Sequence, residues 1–572
     1  MFLRQKNIRW FLLIAFCWVS STLYFEWQKT HAPTPNNLQL SSKQQPNSDS
    51  VDLPPQNIAV GASDVPHLAP EAPNKADQTP STAQQEVQEL IDPRRLVQVK
   101  TDNFLIKIDK LGGDIVEAIL LKYPQSKQKP DQGFVFLSKK GLKNNSDIDR
   151  EYFFQTGFVS NFGPDSREKG RSLYESAASN YVLESGSKTL EVPLVWKNEQ
   201  GLTVKKIFIF NQEAYAIKIR YEIENKSNQP YKGSAYARIK RTQPAEQSSF
   251  LGVQTFTGMA LNDLEKPYKK LQFKDVNQLE EKVKRTAGWA AMIEHYFVSA
   301  LIGEKEQENQ YQAKSFGNNW YGVELINPVL EIAPNTKATT ALGLYLGPEI
   351  TKDLKLLAQD LELTVDYGIL WPLCQPIFWA LKAINSFFGN WGVSIILVTV
   401  LIKIAFFKLS ASSFKSMGKM KKLQPKIEAL KQTYGEDKQR FSQAIMELYK
   451  KEKVNPVGGC LPMLVQIPVF ISLYYVLLGS VELRQAEFMW WITDLSIKDP
   501  YYVLPIIMGA SMFLQQKISP APADPVQAKV MMLMPVFFTF LFLQFPAGLV
   551  LYWIVNNFLS IAQQTYISKR YA

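Results

Sequence analysis

Apolar residues follow three different patterns along this chain. Ile8 to Phe25 is an apolar stretch led by Arg4, Lys6 and Arg9, which predicts a helix entering a membrane with its N-terminus inside. It is long for a cleaved signal, and bulky Tyr24, Phe25 and Trp27 follow it in place of an A-x-A site, so residues 1–27 read as a retained transmembrane anchor. Residues 28–95 are rich in Pro, Gln, Ser and Asn, too poor in apolar surface to offset ordering entropy, and read as a flexible periplasmic linker.

A period of two then takes over. Tyr215, Ile217, Ile219, Tyr221 and Ile223 alternate with Lys218, Arg220 and Glu222. Phe104, Ile106 and Ile108, and Val204 to Phe210, repeat the theme between turns such as Leu111-Gly112-Gly113 and Asn228-Gln229-Pro230. This predicts a large antiparallel β-sandwich over residues 96–345. Trp196, Trp289 and Trp320 are candidates to line a sugar cleft, with core packing the preferred role.

Residues 346–388 form a third region. Its stretch 363–388 mixes aromatics with Lys382, Asn385 and two prolines, which predicts an amphipathic segment lying in the outer interface. Apolar runs at Trp391–Leu409, Gly459–Leu478, Tyr501–Ile518, Val530–Phe545 and Gly548–Ala562 then predict an all-α core of five transmembrane helices within residues 389–572. With the anchor, both termini lie inside, in agreement with Lys569 and Arg570. The last two runs span about 24 Å and about 22 Å, against roughly 30 Å of hydrocarbon. Between the first two runs, residues 411–453 read as a helical hairpin. Met417, Met420, Leu423, Ile427 and Leu430 recur at helical spacing, a turn follows at Tyr434 to Asp437, and Phe441, Ile445, Leu448 and Tyr449 resume the period.

Charge fixes the orientation. Of the net +11, much is concentrated between Lys408 and Lys453, where twelve Lys or Arg face five acids, whereas Val481 to Pro500 carries four acids and two bases. The first loop is therefore cytoplasmic and the second outside. The same concentration argues against DNA as a specific partner and makes ribosomal RNA the most plausible nucleic acid. Lys419, Lys421, Lys422 and Lys426 give the hairpin a basic face suited to lipid headgroups, the ribosome or a targeting receptor, or simply to solvent. Cys17, Cys374 and Cys460 fall in or beside apolar segments and the three histidines are scattered, so neither a disulfide framework nor a metal site is expected. No P-loop is found, and no cofactor is expected.

One charge stands out from this pattern. Lys403 lies inside the run that begins at Trp391, roughly 10 Å from its inner end. A charge in a span marks a functional site by default, and the competing reading is a lysine that snorkels to the headgroups, a role Lys408 fills more cheaply. Thr399 shares its helix face, while Gln466 and Asn556 stand at similar depth on two other spans. A lysine among amides and hydroxyls fits a hydrated cavity better than helix-to-helix glue. No acid lies at that depth within the apolar runs, which weakens a proton-coupled transporter.

Five stretches carry a resemblance: GNWGVSIILVTVLIK (389–403), MGKMKKLQPKIEALK (417–431), NPVGGCLPMLVQIPVFISLYYVL (455–477), DPYYVLPIIMG (499–509) and FPAGLVLYWIVNN (545–557). In this order they resemble the YidC, Oxa and Alb family of membrane-protein insertases, in its Gram-negative bacterial form. The resemblance implies a non-enzymatic inner-membrane insertase and folding chaperone. It would receive nascent inner-membrane proteins in a cytoplasm-facing hydrophilic groove, alone or with the Sec translocon, beneath a periplasmic β-supersandwich largely dispensable for insertion. The ribosome, the signal recognition particle receptor and membrane lipids are the other implied partners. The family's groove positions carry over to Lys403, Thr399, Gln466, Tyr552 and Trp553, and Asn556 joins them as a candidate by its depth on the last span. Two of these depart from the family pattern: its groove charge is usually arginine, and a second tyrosine often stands where this chain has Trp553. The tail after Lys569 is short, so a long basic ribosome-binding extension is not expected. Two other function classes compete with the insertase: a solute or lipid transporter, and a membrane-anchored sugar-binding protein carried by the β domain.

Overall fold

The computed structural model describes residues 91–139, 151–166, 170–244, 255–276, 281–434, 437–452, 454, 461–519 and 525–571. The expected anchor, nearly all of the linker and the centre of the Tyr434–Asp437 turn lie outside the described residues.

Alternation becomes structure in the first half. Strand Ala216–Asn225 buries Ile217, Ile219, Tyr221 and Ile223 on one face, with Lys218 exposed and Arg220 and Glu222 half-exposed on the other. Gly112 and Gly113 take φ of +72° and +70°, a conformation that glycine adopts without a Cβ clash. They close the hairpin between Phe104–Asp109 and Asp114–Ser126 with Asp109 opposite Asp114. Among the described residues the strands form a thirteen-stranded and a nine-stranded sheet. Pairing is antiparallel, apart from Leu96–Lys100 with Asn180–Val182 and Tyr152–Ser160 with Asp165–Ser166. Side chains from both sheets share one apolar core, from Val97 and Phe104 to Leu344 and Leu346. Trp289 is fully buried in that core and donates through Nε1 to the Gln359 carbonyl, and Trp196 packs against the core edge. Trp320 stands edge-on to Phe153. These are packing roles.

Helices dominate after Thr351: α1 (Trp371–Phe388), α2 (Trp391–Ala405), α3 (Phe407–Lys422), α4 (Gln424–Tyr434), α5 (Lys438–Lys451), α6 (Leu461–Gly479), α7 (Val503–Ile518), α8 (Pro525–Phe542) and α9 (Ala547–Tyr571). Helix α1 buries Cys374, Ile377 and Leu381 on one side and exposes Trp371, Trp379, Phe387 and Phe388. Gly389 ends it with φ +67°, and the Asn390 side chain caps α2 by accepting from the Val393 N–H at 3.0 Å.

Three expectations need correction. The run drawn from Trp391 to Leu409 is helical only to Ala405; at Phe406 the chain turns and α3 leaves at 68° to α2. The first arm of the hairpin is two helices that part at Leu423: Pro425 has no N–H to give the Lys421 carbonyl and its ring crowds that carbonyl, whereas in the first turn of a new helix beginning at Gln424 a proline is tolerated. The last helix is not short: α9 has 25 residues, about 37 Å long at ~1.5 Å per residue, since helical backbone continues through Gln563, Gln564 and Lys569 after the apolar run ends. Helix α8 likewise starts before Val530. Among the described residues no single helix is long and apolar enough to cross a membrane on its own, and the bent pair α2 with α3 meets that test together.

The sandwich is fastened to the loop Ser480–Tyr502 that follows α6. Val481 belongs to the sandwich core, Arg484 donates to the Pro124 carbonyl, and Lys127 pairs with Glu487 at 2.8 Å. Asp499, buried at the far end of the loop, accepts from the backbone N–H groups of Tyr501 and Leu504 and so organises the start of α7.

Candidate functional site

Helix α9 carries Tyr552, Asn556 and Ser560 at intervals of four, which aligns them in one stripe. That stripe faces α2 and α6. Lys403 on α2 is only 8% exposed, and its ammonium donates to Ser560 Oγ at 2.7 Å. The Ser560 hydroxyl in turn donates to the Asn556 carbonyl at 2.7 Å. Asn556 Nδ2 donates to Gln466 Oε1 on α6 at 3.3 Å. Three helices are thus joined by one polar chain around a single positive charge. Among the described residues no carboxylate pairs with that charge.

Thr399 sits one turn from Lys403 on the same face of α2, buried, with its hydroxyl donating to the Ile395 carbonyl at 2.6 Å. Tyr552 and Trp553 continue the site as an aromatic wall that does not bond to the lysine network. Trp553 stands edge-on to Phe470 at 4.9 Å and lies 5.4 Å from Phe542, while Tyr552 lies 6.3 Å from Phe470. Tyr552 Oη and Trp553 Nε1 are buried without a hydrogen-bond partner among the described residues. The site therefore brings together a cation, an amide and an aromatic wall. It holds no nucleophile paired with a base, and among the described residues no group of His, Cys, Asp and Glu is arranged to hold a metal.

The hairpin lysines lie elsewhere. Lys419, Lys421 and Lys422 are exposed on α3, and Lys426 is exposed at the start of α4, where it pairs with Glu452 at 2.6 Å. The lysine's donation holds the Glu452 carboxyl below its ordinary range. Helices α4 and α5 pack through Ile427, Phe441, Ile445 and Leu448, which leaves the basic residues facing outward.

Sequence reasoning placed Lys403, Gln466 and Asn556 at one depth, and the structure connects them; it missed Ser560, the residue that makes the connection. The available signal was its four-residue offset from Asn556, but a serine near the end of an apolar run is unremarkable by itself.

Comparison with known proteins matches residues 96–380 to the YidC periplasmic domain and residues 383–572 to the 60Kd inner membrane protein family. The membrane protein insertase YidC of Pseudomonas fluorescens (strain Pf0-1) is 44% identical over 564 residues, covering 98% of each chain. That of Pseudomonas aeruginosa (strain PAO1) is 43% identical over 589 residues, covering 99% of this chain and 98% of the relative. The chain belongs to the YidC family of membrane protein insertases. A crystal structure of active YidC insertase with the first transmembrane domain resolved aligns over 82% of this chain and 92% of its own, with 18% identity and a TM-score of 0.37. A galactose mutarotase-like protein from Lactobacillus casei aligns over 44% of this chain and 99% of its own, with 8% identity and a TM-score of 0.29. As a YidC family member the chain is an inner-membrane protein with a periplasmic domain, and its activity is membrane-protein insertion.

Proposed function

We propose that this YidC family member accepts client transmembrane segments in a positively charged recess formed by Lys403, Thr399, Gln466, Asn556, Tyr552 and Trp553. The recess opens toward the cytoplasm and the lipid, and the client is released sideways into the bilayer. The protein works alone or with the Sec translocon, also assists folding of the inserted client, and uses no bond chemistry and no cofactor. Both termini and the 411–453 hairpin lie in the cytoplasm, where Lys419, Lys421, Lys422 and Lys426 meet lipid headgroups, the ribosome or the receptor for the signal recognition particle.

The observation that carries this reading is the Lys403 ammonium, buried in a helix with no other charge, with one hydroxyl and no carboxylate as partner among the described residues. Removing one member of a buried ion pair is costly because the other is left uncompensated, and among the described residues no charge compensates Lys403. An acidic flank of a client supplies one. A short helix adds to the effect: α7 has 16 residues, about 24 Å, which favours a locally thinned bilayer and lowers the barrier for a polar flank.

Protease-protected insertion of a single-span client with an acidic outer flank, into liposomes holding only this protein, tests the proposal. Insertion is expected to survive Lys403→Arg and to be lost in Lys403→Ala. Equal insertion by Lys403→Ala and wild type refutes the recess.

A further inference from the structure

We infer that Ser560 is the positioning residue that holds the Lys403 ammonium inside the recess, and that the lysine works there because this hydroxyl is present. The inference rests on the recess reading and concerns how its charge is kept in place.

Lysine bears three donors and no acceptor, so whatever binds it must accept. The Ser560 hydroxyl has one proton, and that proton is committed: Oγ lies 2.7 Å from the Asn556 carbonyl one turn back on α9. Its lone pairs are left for the ammonium, 2.7 Å away. Ser560 is thus fixed as an acceptor by its own helix, and it is buried, so water competes poorly for the contact. Among the described residues no other side chain or carbonyl accepts from Lys403 Nζ. Among the described residues one of its three N–H groups is used, and an ammonium held in this way has donors to offer a client carboxylate.

Without this acceptor the geometry has an alternative. A lysine stem is long and flexible, and an ammonium that loses its buried partner reaches instead for the nearest interface. Lys403 stands two residues before the last residue of α2, so the cytoplasmic surface is within reach. Ser560 decides between a charge in the recess and a charge at the rim. A guanidinium, with five donors in a rigid fork, has more ways to be held and depends less on a single hydroxyl. The pairing of Lys403 with Ser560 therefore gives a compact ammonium a fixed position.

The experiment is a mutant cycle in liposomes containing the full-length protein, with two versions of one single-span client, its outer flank acidic or neutral. Ser560→Ala and Ser560→Val are expected to lower insertion of the acidic client about tenfold, the factor typical of a hydrogen bond to a charged group. Ser560→Thr, nearly the shape of valine but with the hydroxyl, is expected to restore it. In a Lys403→Arg background Ser560→Ala is expected to cost little. The neutral client is expected to be inserted equally by wild type and Ser560→Ala. A purely structural role would lower both clients alike and would cost as much in the Lys403→Arg background, and either result overturns the inference. So does wild-type insertion of the acidic client by Ser560→Ala while Lys403→Ala fails. Wild-type insertion by Lys403→Ala overturns the recess itself, and this inference with it.

Discussion

Arg484 donates through Nη2 to the Pro124 carbonyl at 2.9 Å, across 360 positions of sequence, and joins the loop after α6 to a β-hairpin of the sandwich. The guanidinium also lies 5.3 Å from the Phe134 ring and 5.8 Å from the Phe297 ring. A planar cation can stack and donate at the same time, which an ammonium does less well. Arg484→Ala is expected to cost about 1–2 kcal/mol of attachment between hairpin and loop. Amide hydrogen exchange across residues 122–129 should then rise roughly tenfold. Arg484→Lys should recover only part of the protection, and unchanged exchange in both variants would show that the wedge holds nothing.

Lys206 gives the sandwich a pH dependence of its own. It is fully buried, donates to the carbonyls of Gly112 and Thr156 at 2.6 Å each, and lies over the Tyr174 and Tyr221 rings. Burial pushes its ammonium down from 10.5 to about 7. Between those values the unfolded chain binds more protons than the native one, so stability rises with pH, by up to about 1.4 kcal/mol per pH unit. Below about 7 both states are protonated and the effect is flat. Burial pushes the neighbouring Asp165 upward, and that group acts in the opposite sense. The difference between wild type and Lys206→Met isolates the lysine. The thermal midpoint of the wild type should gain on that of Lys206→Met as pH rises from 7 to 10. Arg171 Nη2, at 2.9 Å and 3.0 Å, still serves the two carbonyls in the variant. Parallel pH profiles would show that Lys206 titrates normally.

How far the sequence reaches depends on whether one face of an element meets solvent. Ala216–Asn225 was legible because its outer face is polar, so its period of two survives in the composition. Tyr152–Ser160 is buried along its whole length, Gln155 and Thr156 included, and alternation has nothing to report there. The antiparallel β part and the helical C-terminal part follow from periodicity, and residue depth along each run brought Lys403, Gln466 and Asn556 together. Depth does not give rotation about the helix axis. Ser560 escaped because its role appears only when α9 turns one stripe toward α2, and Lys206 escaped because a single lysine in a strand reads as solvated until its partners converge. Pro425 was visible, but the apolar spacing of Met420, Leu423 and Ile427 continues across it and hides the break.

That break is itself testable. Between α3 and α4 the backbone bends at Leu423, two residues before Pro425, and the Leu423 N–H reaches Met420 O at 3.1 Å in place of the usual partner one residue further back. Pro425→Ala removes a residue that disfavours an internal helix position by about 3 kcal/mol relative to alanine. Spin labels at positions 415 and 431 are expected to move apart as the two helices join into one. An unchanged distance distribution would assign the bend to packing of Leu423 and Ile427 against Val454.

Asn556 and Asn557 are neighbours on α9 and separate the site from the scaffold. Successive residues on a helix point about 100° apart, so the two amides serve different partners. Asn556 donates to Gln466 Oε1 in the recess, whereas Asn557 donates to Ser511 Oγ on α7 at 2.9 Å. Asn557 and Ser511 are both buried, and the Ser511 hydroxyl is committed to the Met508 carbonyl, so this is a fixed contact between two helices. Interhelical hydrogen bonds of this type contribute about 0.6–2 kcal/mol. Asn557→Ala should therefore lower the midpoint of thermal unfolding in detergent by a few degrees, while insertion of an acidic-flank client stays near wild type. Asn556→Ala should do the reverse, because its contact to Gln466 is long and half-exposed and its position is in the recess. Measuring midpoint and insertion on the same two variants separates the roles. If Asn556→Ala lowers only the midpoint, or Asn557→Ala only insertion, the assignment of the two faces of α9 is reversed.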